Sequence, residues 1–102
     1  MNLSKTKTNS RSEELGKIVW EFQEHGYENF VVLENPDYLE AIQGISEDGR
    51  VVYRYSEMVK SLMNEDGMSE EEAVEFIDYN TIRALPYMGE KAPIVFYDRE
   101  TP

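Results

Sequence analysis

The first hydrophobic pattern along the chain is a helical stripe. Apolar side chains recur at i, i+3, i+4 and i+7, namely Leu15, Ile18, Val19 and Phe22. This spacing places them on one face of a helix. Ser10 and Glu13 have the spacing of a capping box, and Gly26 is typical of the residue that follows a helix end. The pattern predicts a helix over residues 12–25, preceded by a polar, mobile tail at residues 1–10.

Short β-branched and aromatic segments follow this helix. Residues 29–34 (NFVVLE) have the composition of a strand. After the turn NPDY, residues 39–46 and 50–55 form two further segments with the composition of strands, one on each side of the sequence EDG. Gly49 in that connection tolerates the positive φ that tight hairpins require. We therefore expect one separate strand followed by a β-hairpin.

Two helices come next. Helix two is predicted to begin near Ser56 and to end at Gly67, and Ser69 and Glu72 form a capping box at the start of helix three. The positions that we expect to face the core on these helices are Met58, Val59, Leu62, Met63, Val74 and Ile77. Pro86 forbids a further helical continuation.

A strand at residues 92–98 (APIVFYD) ends the pattern, and Pro93 places it at a strand start or at a sheet edge. The predicted order is α-β-β-β-α-α-β. This order predicts one small α+β domain, in which a three- to four-stranded, mostly antiparallel sheet packs against an N-terminal helix and a helix pair. The domain is expected to span residues 11–98, between the N-terminal tail and a C-terminal tail at residues 99–102.

The composition indicates the cellular compartment in which the protein is expected. The chain contains no cysteine, which removes disulfides, thiolate metal sites and cysteine nucleophiles. It has no apolar run near the length of a membrane span, and its first residues lack the apolar centre of a signal peptide. Small secreted domains often need disulfides. We therefore expect a cytoplasmic protein that does not associate with membranes.

The charge is strongly negative and uneven. The net charge is −11, yet residues 1–11 carry three basic side chains and no acid. The remaining chain has 7 basic and 21 acidic side chains, a net charge of −14. Such a body repels phosphate backbones, so direct nucleic-acid binding is not expected, and it attracts basic protein surfaces. The alternative interpretation is that the charge only maintains solubility.

The familiar catalytic and metal-binding patterns are absent from the sequence. Gly49 and Gly67 lie in acidic loops, but neither loop has the ligands of a calcium-binding EF-hand. His25 is the only histidine, and a zinc site cannot be built from it alone. No glycine-rich phosphate loop occurs. We expect no cofactor, no metal and no catalytic residue, although a hydrolytic carboxylate pair remains a second alternative among so many acids.

Tyrosines and helix-three acids are the best candidates for an interaction surface, since tyrosine is enriched at interfaces. The candidate interaction residues are Glu70, Glu71, Glu75, Asp78, Tyr53, Tyr55, Tyr79, Arg83 and Tyr87. Tyr53 and Tyr55 fall on one face of the return strand of the hairpin. In one alternative, Tyr53, Tyr55, Tyr79 and Tyr87 line a cleft for a small ligand. In another, the tyrosines only complete the core.

Residues 79–87 (YNTIRALPY) combine these residue types at the end of helix three. Ile82 and Leu85 are expected to face the core, so that the segment docks helix three onto the sheet. The longer segment EEAVEFIDYNTIRALPYMGEKAPIVFY resembles the most characteristic part of a family of small uncharacterised proteins from Gram-positive bacteria, their phages and mobile elements. The segment AIQGISEDGRVVYRYSEMVKSLMNEDGMSEEEAVEFID, which begins before it, is similar to that family as well, and the resemblance covers about residues 30–97.

The resemblance implies a bacterial cytoplasm, often with a mobile element, and carries over no catalytic or binding residue. Together with the charge and the tyrosines, it leads us to expect a non-enzymatic, acidic protein-interaction module. Its role would be that of a regulator or inhibitor in phage or mobile-element biology, with nucleic-acid mimicry as the sharper form of the hypothesis. The expected partner is a basic protein surface.

Overall fold

The computed structural model describes the backbone of residues 3–102 and the side chains from Arg11 onward. The elements are α1 (Leu3–Glu24), a first 3₁₀ turn (Leu39–Ala41), β1 (Ile42–Ile45), β2 (Val51–Arg54), α2 (Tyr55–Asp66), α3 (Glu70–Asn80), a second 3₁₀ turn (Ile82–Tyr87) and β3 (Ile94–Phe96). The predicted single α+β domain is confirmed. Its order is α-β-β-α-α-β, with three helices and a three-stranded mixed sheet.

Strand β2 lies at the centre of the sheet. It pairs antiparallel with β1 and parallel with β3. The predicted hairpin is confirmed, and Gly49 has a φ of 82° in its turn. The prediction of a mostly antiparallel sheet is wrong, because one of the two strand pairs is parallel. The chain leaves β2 through α2, α3 and the second 3₁₀ turn, and a connection of this length can return a strand in the same direction.

Residues 29–34 do not form the predicted strand. Asn29 and Asn35 have φ values of 62° and 50°, which break an extended backbone at both ends of the segment. Between them, the Leu33 N–H donates to the hydroxyl of Tyr53 at 2.8 Å instead of to a neighbouring strand. The Tyr53 side chain, on the central strand, thus replaces the backbone hydrogen bond that a neighbouring strand would have made with the loop at residues 33–35.

Two predicted strand boundaries also change. Tyr55 begins α2, so only Val51 and Tyr53 share the buried face of the return strand. Residues 39–41 form the first 3₁₀ turn after Tyr38, whose left-handed backbone redirects the chain before β1 begins. The last strand covers Ile94–Phe96 instead of residues 92–98.

The core lies between the sheet and the helix pair. Its largest fully buried side chains are Tyr38, Tyr53, Met58, Leu62, Ile77, Val51 and Pro93. The predicted core positions on α2 and α3 are confirmed for Met58, Val59, Leu62 and Ile77. Met63 is exposed, so that prediction is wrong, whereas Val74 is half-buried and packs against the core. Both residues lie at the edge of the buried stripe of their helix.

Helix α1 starts at Leu3, earlier than predicted, and runs through Ser10, so Ser10 is not its N-cap. No proline or glycine interrupts residues 3–10, so no residue there terminates a helix. The helix docks through an edge-to-face contact between Phe22 and Phe30 and through Arg11. The Arg11 guanidinium contacts three carboxylates, those of Asp37, Glu40 and Glu65, at 2.6, 2.8 and 2.8 Å. None of the described helices is long and apolar enough to cross a membrane.

The C-terminal segment is attached to the start of α2 by Asp98. Its carboxylate accepts hydrogen bonds from the Ser56 hydroxyl at 2.6 Å, from the Arg54 guanidinium and from the Glu100 N–H. The Ser56 hydrogen bond and the Arg54 contact lower the pKa of Asp98 well below its usual value of 3.8. The charged carboxylate therefore holds β2, α2 and the end of the chain together.

We predict that Tyr53→Phe destabilises the fold, because it leaves the buried Leu33 N–H without its partner. The expected loss is about 1–3 kcal/mol of unfolding free energy, measured by chemical denaturation. Tyr87→Phe removes the same hydroxyl from a side chain that is 89% exposed and is the matched control. Equal stability of the two variants would show that the Leu33–Tyr53 hydrogen bond contributes nothing.

We also predict a pH-dependent contribution from Asp98. Because its pKa is lower in the folded protein, its contribution is complete above its ordinary pKa of 3.8 and declines as the pH falls below that value. Asp98→Asn should therefore melt at a lower temperature than wild type at pH 7, and the gap should narrow between pH 4 and pH 2. Glu90→Gln, at an exposed position, is the control. A gap that stays constant down to pH 2 would contradict the assignment.

Candidate interaction surface

The acids of α3 divide into two groups with different roles. Glu72 belongs to the predicted capping box, which is confirmed. Its carboxylate accepts from the Ser69 N–H at 2.9 Å, and the Ser69 hydroxyl accepts from the Glu72 N–H at 3.1 Å. Glu71 and Glu75 are exposed, and within residues 11–102 neither forms an ion pair. Their charge is therefore not used by the described fold.

A groove of about 570 Å³ lies between α3 and the second 3₁₀ turn, and we call it the α3 groove. Its lining residues are Glu71, Val74, Glu75, Asp78, Tyr79, Ile82 and Arg83. Most of the candidate interaction residues thus meet in one place. Val74 and Ile82 are half-buried and pack against the core, and they supply apolar surface beside the acids.

Aromatic and cationic groups form the other side of the α3 groove. The Arg83 guanidinium carbon lies 4.8 Å from the centre of the Tyr79 ring, a cation–π distance. A second groove of about 360 Å³ begins at this pair and is lined by Tyr79, Arg83, Ala84 and Tyr87. Tyr79 and Tyr87 are 66% and 89% exposed. Large exposed aromatics grouped in this way are typical of interaction sites.

Tyr53 and Tyr55 do not share this surface. They are 0% and 2% exposed, so they do not form an open cleft with Tyr79 and Tyr87. Tyr53 belongs to the core, and burial raises its pKa to about 12, which keeps its hydroxyl neutral. The Tyr55 hydroxyl donates to a carboxylate oxygen of Asp78 at 2.9 Å. Tyr55 therefore positions an acid of the α3 groove without lining the groove itself.

Glu70 and Asp78 differ in how firmly they are placed. Glu70 is exposed in the first turn of α3 and does not line the α3 groove. Asp78 is held by Tyr55, whose ring also packs against Tyr97 with 4.7 Å between ring centres. Burial is the main cause of the raised pKa of Tyr55, and the Asp78 hydrogen bond adds to it. The Tyr55 hydroxyl therefore keeps its proton at neutral pH and remains a donor to Asp78.

The segment YNTIRALPY is both a joint and a surface. Thr81 is 6% exposed, and its N–H donates to Ile77 O at 2.9 Å at the end of α3. Ile82 and Leu85 are half-buried instead of fully buried, and no residue of the second 3₁₀ turn is fully buried. Sequence reasoning missed Val74 as a lining residue, although it lies three residues after Glu71 and four before Asp78, on the same helical face.

Comparison of the chain with models of known protein families, with curated proteins and with solved structures finds no match. Among the residues that the structure describes, no group of three or more His, Asp or Glu side chains could hold a metal ion.

Proposed function

We propose that this protein is a non-enzymatic interaction module that docks a basic protein surface onto the α3 groove. The observation that carries the proposal is the meeting of unpaired carboxylates, half-buried aliphatic side chains and an exposed tyrosine in one groove. In the context that the family resemblance implies, the module acts as a regulator or inhibitor in phage or mobile-element biology, in a bacterial cytoplasm.

The electrostatics of the helix pair support a basic partner. Residues 57–78 contain eight acids and one lysine, a net charge of −7. Glu71, Glu75 and Asp78 lie at i, i+4 and i+7 and therefore on one face of α3. Glu75 and Asp78 lie beyond the first helical turn, so the favourable interaction of acids with a helix N-terminus does not explain them. Such a face accelerates encounter with a positive groove, and salt weakens the attraction.

The apolar part of the α3 groove supports docking over pure charge attraction. Stable interfaces place apolar and aromatic side chains at the centre and charged side chains at the rim. Val74 and Ile82 supply the first kind of surface, and Glu71 and Glu75 the second. A partner that fits this arrangement presents an apolar side chain flanked by lysine or arginine. A basic groove that otherwise binds nucleic acid has the required charge, which is the mimicry form of the proposal.

We predict that the variant Glu71→Lys with Glu75→Lys loses the partner that the wild-type protein captures from a bacterial lysate. Reversed charge repels a basic surface, and the positions are exposed, so the fold should remain. Capture by the wild type should also decrease at higher salt.

The matched control is Glu21→Lys with Glu24→Lys, which makes the same change of net charge at exposed positions on α1. The control should still capture the partner at low salt. Circular dichroism establishes that both variants fold. If the α3 variant folds and captures the same protein in equal yield at low salt, the α3 groove is not the docking surface.

A further inference from the structure

The side chains that line the α3 groove fall into two rows, each with a spacing of four residues. The first row is Glu71, Glu75, Tyr79 and Arg83, and the second row is Val74, Asp78 and Ile82. Residues four apart are neighbours on one side of a helix. The helical course continues beyond α3, because the Thr81 N–H donates to Ile77 O and the Leu85 N–H donates to Thr81 O. The α3 groove is thus bounded by two ridges that run from α3 into the second 3₁₀ turn.

This spacing indicates the shape of the molecule that fits the groove. A groove between two rows of four-residue spacing accepts the corresponding ridge of a second helix, which is the commonest mode of helix packing in globular proteins. Val74 and Ile82 are half-buried, and they lie about 12 Å apart along the helix at about 1.5 Å for each residue. That length accommodates two apolar side chains, one helical turn apart, on the ridge of a partner helix.

The first row carries opposite charges at its two ends. Glu71 and Glu75 lie at its start and Arg83 at its end, with Tyr79 between them. Arg83 is exposed and forms no ion pair with any side chain of residues 11–102. Its guanidinium carbon lies 4.8 Å from the centre of the Tyr79 ring, so the charge is positioned without being neutralised. It is therefore available to a carboxylate of a partner.

The second row supplies the apolar contact. Its middle residue, Asp78, accepts a hydrogen bond from the Tyr55 hydroxyl at 2.9 Å. This acid thus has a partner within the protein, whereas the charges at the two ends of the first row have none within the described side chains. Those two ends determine which charge a partner needs at each end of its own ridge.

We propose that the α3 groove binds an amphipathic helix of the partner protein that carries a base, two apolar residues and an acid at successive four-residue intervals. The base lies against the glutamates of the first row, the apolar pair against Val74 and Ile82, and the acid against Arg83. The opposite charges at the two ends fix the direction in which the helix lies. This inference rests on the proposed function, and it adds the shape of the docking segment and an acid that a basic partner alone does not require.

The test uses three alanine-based peptides of about 18 residues, a length at which an isolated helix forms in part. The glutamate peptide carries lysine, leucine, leucine and glutamate at four-residue intervals. The glutamine peptide has glutamine in place of that glutamate, and the proline peptide has proline midway between the leucines, which breaks the helix. Binding to the full-length protein is followed by backbone NMR at physiological salt, where charges more than about 8 Å apart are largely screened.

We expect the glutamate peptide to shift the Val74 and Ile82 amide signals saturably. The glutamine peptide should bind about two- to fivefold more weakly, the effect of one exposed ion pair, although it is more positive and the protein is acidic. The proline peptide should bind at least about tenfold more weakly, because it cannot form the helix. Circular dichroism of the free peptides establishes that the glutamate and glutamine peptides have equal helix content.

The deciding variant is Arg83→Gln, which should remove the preference for the glutamate peptide. Arg99→Gln removes the same charge at an exposed position outside the α3 groove, so this control should keep the preference. The inference is overturned if the wild type binds the glutamine or the proline peptide as tightly as the glutamate peptide, if Arg83→Gln keeps the preference, or if no peptide shifts the Val74 and Ile82 signals. The proposed function fails separately, when the variant Glu71→Lys with Glu75→Lys keeps the partner captured from the lysate.

Discussion

The hydrogen bond from the Leu33 N–H to the Tyr53 hydroxyl is the contact on which the arrangement of the irregular segment at residues 25–38 depends. Tyr53 lies on the central strand and is fully buried, so its hydroxyl is a fixed acceptor inside the core. It holds the loop that follows α1 against the central strand. The same loop leads into Asp37, which contacts Arg11 and attaches α1. One side chain thus connects the sheet, the loop and the N-terminal helix.

Helix α3 carries different kinds of side chain on its different faces. Ile77 faces the core, Phe76 and Asn80 line a cleft beside residues 33–36, and Glu75 and Asp78 line the α3 groove. A helix held at its start by a capping box and at its end by a buried Thr81 can display these groups at fixed positions. A rigid element suits an interaction site, because little conformational freedom is then lost on binding.

Local signals in the sequence were sufficient for the hairpin, for α2 and α3, and for the acidic face, because capping residues, turn glycine and helical spacing act over a few residues. The prediction of a separate strand at residues 29–34 was wrong because the partner of Leu33 is a side chain 20 residues away. The parallel pairing of β3 was not predicted because it depends on the whole helical connection between β2 and β3. The number of tyrosines in the sequence does not indicate which of them are buried, as Tyr53 is, and which are exposed, as Tyr79 is. The complete burial of Tyr38 depends likewise on contacts between parts of the chain that are distant in sequence.

The proposed function requires that the α3 groove recognises an apolar side chain together with positive charge. The most direct measurement is backbone NMR shift mapping of the full-length protein with a short peptide that carries leucine between lysines, against the same peptide with serine in place of leucine. The account predicts shifts concentrated at Val74, Tyr79, Ile82 and Arg83 that weaken strongly with the serine peptide. Shifts spread over acids throughout the chain, equal for both peptides, would show only attraction between opposite charges and would contradict the claim.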